Sequence, residues 1–150
     1  MRVRVEYTDE DEEVVIRCQH HSDRIAYLEE TVRTVLEHGA ELTLYIGDAE
    51  YYVPKDEILF FETYDGKVYA HTHDRMYATP LRLFEIERLM PPCFVRISKS
   101  AIANVKRIDS LRRELTGGGE ITFRNSDKTI RFSRGYGKLL KDTIEEVRFT

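Results

Sequence analysis

The sequence predicts a mainly β fold with a few helices: an α+β chain of stacked short β-sheets, preceded by a strand-strand-helix extension. Three observations predict it. Short runs rich in Val, Ile, Leu, Tyr, Phe and Thr fill most of residues 41–133. Turn signals separate several of them, at Gly47-Asp48, Asp65-Gly66 and Gly117-Gly118-Gly119. Helical spacing of apolar residues is confined to three places, after Ser22, after Thr79 and after Ser133.

A chain of 150 residues fits one domain, or one domain with an extension. Hydrophobic residues make up 41% and charged residues 33%, a balance that excludes both disorder and a membrane-embedded chain. No apolar run approaches the roughly 20 residues of a spanning helix. The N-terminus, Met1-Arg2-Val3-Arg4-Val5, enters an alternating strand without an apolar signal core, so a cytoplasmic location is expected. Cys18 and Cys93 are far apart, and buried free thiols are expected of both. The net charge is −4, but it is unevenly spread. Residues 1–40 and 41–94 each carry five Lys and Arg against ten Asp and Glu, whereas residues 95–150 carry thirteen against seven. A basic final third suits a one-sided polyanion surface.

In the extension, Arg2 to Tyr7 alternate, with Val3, Val5 and Tyr7 on one face, and predict a half-buried strand. An acidic connection follows at Thr8-Asp9-Glu10-Asp11-Glu12-Glu13. Val14 to Cys18 predict a second strand, antiparallel to the first. Ser22 offers an N-cap to a helix with Ile25, Leu28, Val32, Val35 and Leu36 on its apolar face, stopped at Gly39. The boundary of the extension falls near residue 40.

Strands are expected at 42–46, 50–54 and 57–63. The last contains Ile58-Leu59-Phe60-Phe61, an apolar run that predicts a central strand covered on both sides. Asp65-Gly66 predicts a two-residue hairpin to a strand at 68–72, and a further strand follows at 75–78. His71 and His73 would share one face there, without a third metal ligand in view. Thr79-Pro80 signals a helix start and Pro91-Pro92 its end. Strands at 94–98, 108–115, 120–124 and 129–133 complete the sheets. Ser133 is expected to cap a last helix carrying Tyr136, Leu139, Leu140, Ile144 and Val147 towards the core. The glycines at 135 and 137 in its first turn suit a close backbone approach.

No catalytic constellation stands out. The chain has no GxxxxGK[ST], GxSxG, HExxH or Cys-x-x-Cys, so no catalytic residue, cofactor or metal is expected. The basic residues at turns are more informative. Ser98-Lys99-Ser100 ends the strand at 94–98. Arg134 lies at the mouth of the last helix, where free N–H groups favour anions, and Lys138 is one turn further on. Lys67, with Tyr64, flanks the Asp-Gly turn. Arginine, lysine and serine at such ends suit phosphate oxygens and base edges.

Four ordered stretches carry a family resemblance. They are Asp56-Glu57-Ile58-Leu59-Phe60-Phe61-Glu62, Thr79-Pro80-Leu81 through Glu87, Phe94-Val95-Arg96-Ile97-Ser98-Lys99-Ser100 through Val105, and Ile130-Arg131-Phe132-Ser133-Arg134-Gly135-Tyr136. Together they make residues 41–147 resemble a LytTR-type DNA-binding domain. The resemblance implies a fold that inserts loops, not a recognition helix, into successive major grooves of double-stranded DNA. Carried over by position, it implies DNA contacts from Lys99, Ser100 and Arg134, and a third region at Tyr64 to Lys67. Ser98 stands where relatives often have histidine. Asn104 is expected to cap the turn that holds the Ser-Lys-Ser loop. Residues 1–40 do not resemble the phosphoacceptor domain that precedes many such modules, so aspartate phosphorylation is not expected. The chain therefore resembles the stand-alone regulators of the family, with residues 1–40 as an extension and 41–150 as the DNA-binding domain. In that group a small membrane protein is a frequent partner. For the extension, whose acidic loop disfavours DNA, a homodimer or partner contact is expected. Two other classes compete: a protein-interaction or signalling module with weak or absent DNA binding, and an enzyme, disfavoured because no nucleophile-base pair can be named.

Overall fold

The computed structural model describes residues 2–148. Ten strands form two antiparallel sheets. The strands are β1 (Glu41–Ile46), β2 (Ala49–Pro54), β3 (Phe60–Tyr64), β4 (Lys67–His71), β5 (Met76–Thr79), β6 (Phe94–Ser98), β7 (Ala101–Asn104), β8 (Ile108–Arg113), β9 (Gly119–Phe123) and β10 (Thr129–Phe132). The large sheet runs β2-β1-β5-β4-β3-β7-β6, and the small one β10-β9-β8. Three helices accompany them: α1 (Asp23–His38), α2 (Leu83–Leu89) and α3 (Gly137–Val147).

β3 lies between β4 and β7, as its apolar run predicts. Phe60 and Phe61 point to opposite faces, and both are buried. The Phe60 ring stacks on Phe123 of the small sheet at 5.3 Å, while Phe61 meets Phe94 at 5.9 Å. Burying one such side chain contributes about 1.5–3 kcal/mol. The Asp65-Gly66 hairpin forms as predicted, with φ of 50° and 76° at its two turn residues. α3 lies along β6, and α1 lies against α3. Ser22 caps α1 by accepting from Ile25 N at 3.3 Å.

Several expectations are corrected. Residues 2–21 form no strand, so the extension is an exposed acidic segment followed by a helix. Val3 is 93% exposed and Tyr7 99%. An isolated pair of strands has no third strand to cover its apolar face, and the five consecutive carboxylates at 9–13 oppose a tight connection. Cys18, in this segment, is exposed, whereas Cys93 is buried. On α1, Val35 and Leu36 face solvent and Thr34 is buried instead. α2 starts at Leu83, not after Thr79. Thr79 is held as the last residue of β5 by its pairing with Val68, and its hydroxyl accepts from Leu81 N. The carboxylate of Glu85 then satisfies Arg82 N at 3.1 Å. Ser133 makes no side-chain cap. A 3-10 turn at Arg134–Tyr136 leads into α3, whose Leu139 is exposed and whose buried residues are Leu140 and Thr143. Nothing approaches the position of a Gly135 side chain, so close approach does not explain that glycine.

Three buried polar side chains organise the packing. Asn104 is fully buried. It donates to Ile58 O at 2.9 Å and accepts from Lys106 N at 3.1 Å. It therefore caps the turn after β7, at the opposite end of the strand from Ser98-Lys99-Ser100. Lys55 donates to Leu89 O at 2.7 Å and to His38 O at 3.4 Å, tying the C-terminal ends of α2 and α1 together. Burial holds its pKa below the ordinary value. His71 stacks on Phe60 at 4.3 Å, with Lys128 Nζ 3.2 Å from its Nδ1. Its Nε2 lies 2.8 Å from Glu62 Oε1. Lys128 also donates to Arg75 O at 2.5 Å, and Ser126 Oγ to His73 O at 3.0 Å. These contacts staple the β9–β10 connection to the β4–β5 turn. His73 itself is exposed beside Asp74 and does not share a site with His71.

Burial first, then the Lys128 charge, lower the pKa of His71 against the opposing pull of Glu62. The unfolded chain therefore binds a proton at this position before the folded one does. Stability should fall as pH drops through the ordinary histidine value of about 6.5. Thermal melts between about pH 7.5 and 5.5 should show that slope, and His71→Gln should flatten it. Asn104→Ala should cost about 1–3 kcal/mol in urea denaturation, since it leaves Ile58 O and Lys106 N without their partner.

Candidate nucleic-acid interface

β6 and β7 form a hairpin whose turn residues are Lys99 and Ser100. Ser98 pairs with Ala101 across a bulge between Arg96 and Ser98. Inside the turn, Ser98 Oγ accepts from Ser100 N at 3.1 Å and lies 3.3 Å from Ser100 Oγ. Main-chain bonds attach a neighbour on each side. Thr63 N donates to Ser100 O at 2.8 Å, bringing up the β3–β4 hairpin with Tyr64 and Lys67 at its tip. Ser133 N donates to Ile97 O at 2.9 Å, which places Arg134 beside Ser98. Lys138 follows in the first turn of α3. Three turns separated in sequence therefore share one end of the large sheet. All seven residues singled out in the sequence, Tyr64, Lys67, Ser98, Lys99, Ser100, Arg134 and Lys138, sit on or next to them.

Some cations have a carboxylate partner and others do not. Arg96 pairs with Glu87, Arg131 with Glu114, Arg112 with Glu120 and Arg107 with Asp56. The Arg131 guanidinium holds the Glu114 carboxyl below its ordinary range. No ion pair engages Lys67, Lys99, Arg134 or Lys138 among the described residues. All four are exposed. Unpaired exposed cations on adjacent turns can neutralise an extended anion, and their hydroxyl neighbours can hydrogen-bond to it.

Sequence reasoning missed two supports. The first is the triple-glycine turn between β8 and β9, read only as a hairpin. Gly117, at φ 90°, lies under Arg134: a methyl group there would come within 2.5 Å of the Arg134 side chain. The stem of Arg134 thus rests on a surface that only glycine leaves open. The second is Arg96, whose Nη1 donates to Lys99 O at 2.9 Å. Its alternation with Phe94 and Ser98 was legible, but its partner across the turn was not. A cleft of about 350 Å³ opens between the turn and β10, with Glu62, Ser98, Ser100 and Arg131 among its lining residues. No group of His, Cys, Asp or Glu that could hold a metal ion occurs among the described residues.

The three helices are separated from one another by strands, so no helix-turn-helix unit occurs among the described residues. The chain is 29% identical over 109 residues to an uncharacterized HTH-type transcriptional regulator of Staphylococcus aureus strain NCTC 8325. That match covers 73% of this chain and 74% of the relative. The corresponding regulator of strain MRSA252 is 28% identical over the same length and shares. A LytTr DNA-binding domain from Bacillus cereus superposes with a TM-score of 0.65 at 23% identity, covering 70% of this chain and 96% of that one, and so shares the fold. The family model described as the LytTr DNA-binding domain matches residues 48–145, from the β1–β2 turn into α3. With all three turns inside that span, the chain belongs to the LytTR DNA-binding domain family.

Proposed function

We propose that this protein is a cytoplasmic transcriptional regulator that reads a specific sequence in double-stranded DNA by placing turns in the major groove. The observation that carries the proposal is the row of unpaired cations on three turns joined by main-chain hydrogen bonds. Lys99, Ser100 and Ser98 form the middle of the row. Arg134 and Lys138 stand on one side, and Tyr64 and Lys67 on the other. Lysine and arginine can reach guanine O6 and N7 or phosphate oxygens, and serine can reach either. Family membership and the naming of the relatives as transcriptional regulators support the same reading. No helix of the described residues is long and apolar enough to cross a membrane.

The protein works, in this proposal, as a pair of copies on repeated sites. Residues 41–150 bind DNA and the extension mediates self-association. One face of α1 packs against α3, which leaves residues 2–21 and the exposed Val35 and Leu36 of α1 free for such contacts. A small membrane protein, implied by the family resemblance, is a second partner for that segment, and co-purification from membranes tests it.

Lys99→Ala and Arg134→Ala should each cost about 1–3 kcal/mol of specific DNA affinity, measured by fluorescence anisotropy on a site selected in vitro. Neither should lower the melting temperature by much, because both side chains are exposed and neither is held by an ion pair. Wild-type affinity should fall with salt at a log–log slope of about −0.9 per neutralised phosphate. Unchanged affinity in both variants would overturn the assignment. Removing residues 2–21 should yield a lighter species in sedimentation equilibrium, and an unchanged mass would count against self-association through that segment.

A further inference from the structure

We propose that Arg96 is a positioning residue for DNA recognition, with Glu87 of α2 as its brace. This inference rests on the reading of the Lys99 turn as a DNA contact. The turn is short, and its residues have left the β6–β7 ladder. The carbonyl of Lys99, its first residue, accepts from the Arg96 guanidinium through Nη1 at 2.9 Å. The same guanidinium donates through Nε to Glu87 Oε1 at 2.6 Å. One planar group is thus fixed at two edges, by a helix on one and by the turn backbone on the other. The Arg96 side chain is 22% exposed and the Glu87 side chain 43%.

The arrangement fixes the direction of Lys99 without using its side chain. With the Lys99 carbonyl anchored, the peptide plane between Lys99 and Ser100 loses its freedom to rotate. The N–H of that same plane, Ser100 N, donates to Ser98 Oγ. The ammonium of Lys99 then projects from a backbone already in place, so less ordering remains to be done when DNA binds. Arg96 differs from the four cations on or next to the turns because Glu87 compensates its charge. A bare surface ion pair would contribute little. The bond to the turn carbonyl, aimed at the one lysine in the middle of the row, distinguishes it from such a pair.

The test uses the full chain, an in vitro selected duplex and an unrelated duplex, both read by anisotropy over a salt series. Arg96→Gln should weaken binding to the selected duplex about tenfold, the scale of a lost hydrogen bond from a charged group. Binding to the unrelated duplex, the salt slope and the melting temperature should stay as in the wild type. Arg96→Lys should lose as much, because one ammonium cannot reach both Glu87 and the Lys99 carbonyl. Glu87→Gln should weaken selected binding in the same direction. In a Lys99→Ala background, Arg96→Gln should add nothing further.

A salt slope lowered by about 0.9 in Arg96→Gln, with tighter binding in Glu87→Gln, would make Arg96 a direct phosphate contact and overturn the proposal. Equal losses on both duplexes with a lower melting temperature would make it a purely structural pair, which also overturns it. Wild-type affinity in Arg96→Lys would show that charge suffices and geometry does not matter. A wild-type protein without preference for any duplex would instead remove the DNA reading itself, a failure seen before any variant is made.

Discussion

Two main-chain hydrogen bonds, Thr63 N to Ser100 O and Ser133 N to Ile97 O, hold the candidate interface together. They join segments more than thirty residues apart on either side of a single hairpin. The first depends on the register of β3 against β7, in which Phe60 faces Ala103 and Glu62 faces Ala101. A slip of one residue would exchange Phe60, packed under Phe123, with Phe61, packed against Phe94. Because both faces of β3 are buried, the register is constrained from two sides at once. The core therefore sets where the turns meet, and the turns inherit that position.

The electrostatics follow a division of labour. The molecule as a whole is acidic, and most of its arginines near the small sheet and β6 are tied to carboxylates. The cations on the three turns have no such ties. A polyanion approaching this end of the sheet meets positive charge that costs no broken ion pair to recruit. The carboxylates of Glu87 and Glu114 compensate the arginines behind it.

Much of this was legible in the sequence. The Asp65-Gly66 hairpin, the two-sided run at Phe60-Phe61 and the Ser-Lys-Ser junction each signal locally what they form. Residues 2–7 and 14–18 misled because alternation records a preference for a sheet, and no sheet receives them. Thr79-Pro80 misled because the demands of the β4–β5 ladder outrank a local cap. Leu139 and Thr143 exchanged roles because helix phase is set by what α3 packs on, not by hydropathy alone. Asn104, Lys55 and the cluster of His71 with Lys128 were out of reach for another reason. Each satisfies groups on elements distant in sequence, and nothing local marks a buried polar residue by the partner it will meet.

The bonds that join the turns involve only peptide groups. A peptide bond donates and accepts in the same way whatever side chain it carries. Lys99 and Arg134 could therefore be exchanged for other side chains without disturbing the contacts that bring their backbones together. Stability and recognition are encoded in different atoms of the same residues. A lineage of such proteins could change the sequence it reads one turn at a time while its core stays untouched, and a designer could vary those positions on a scaffold that continues to fold.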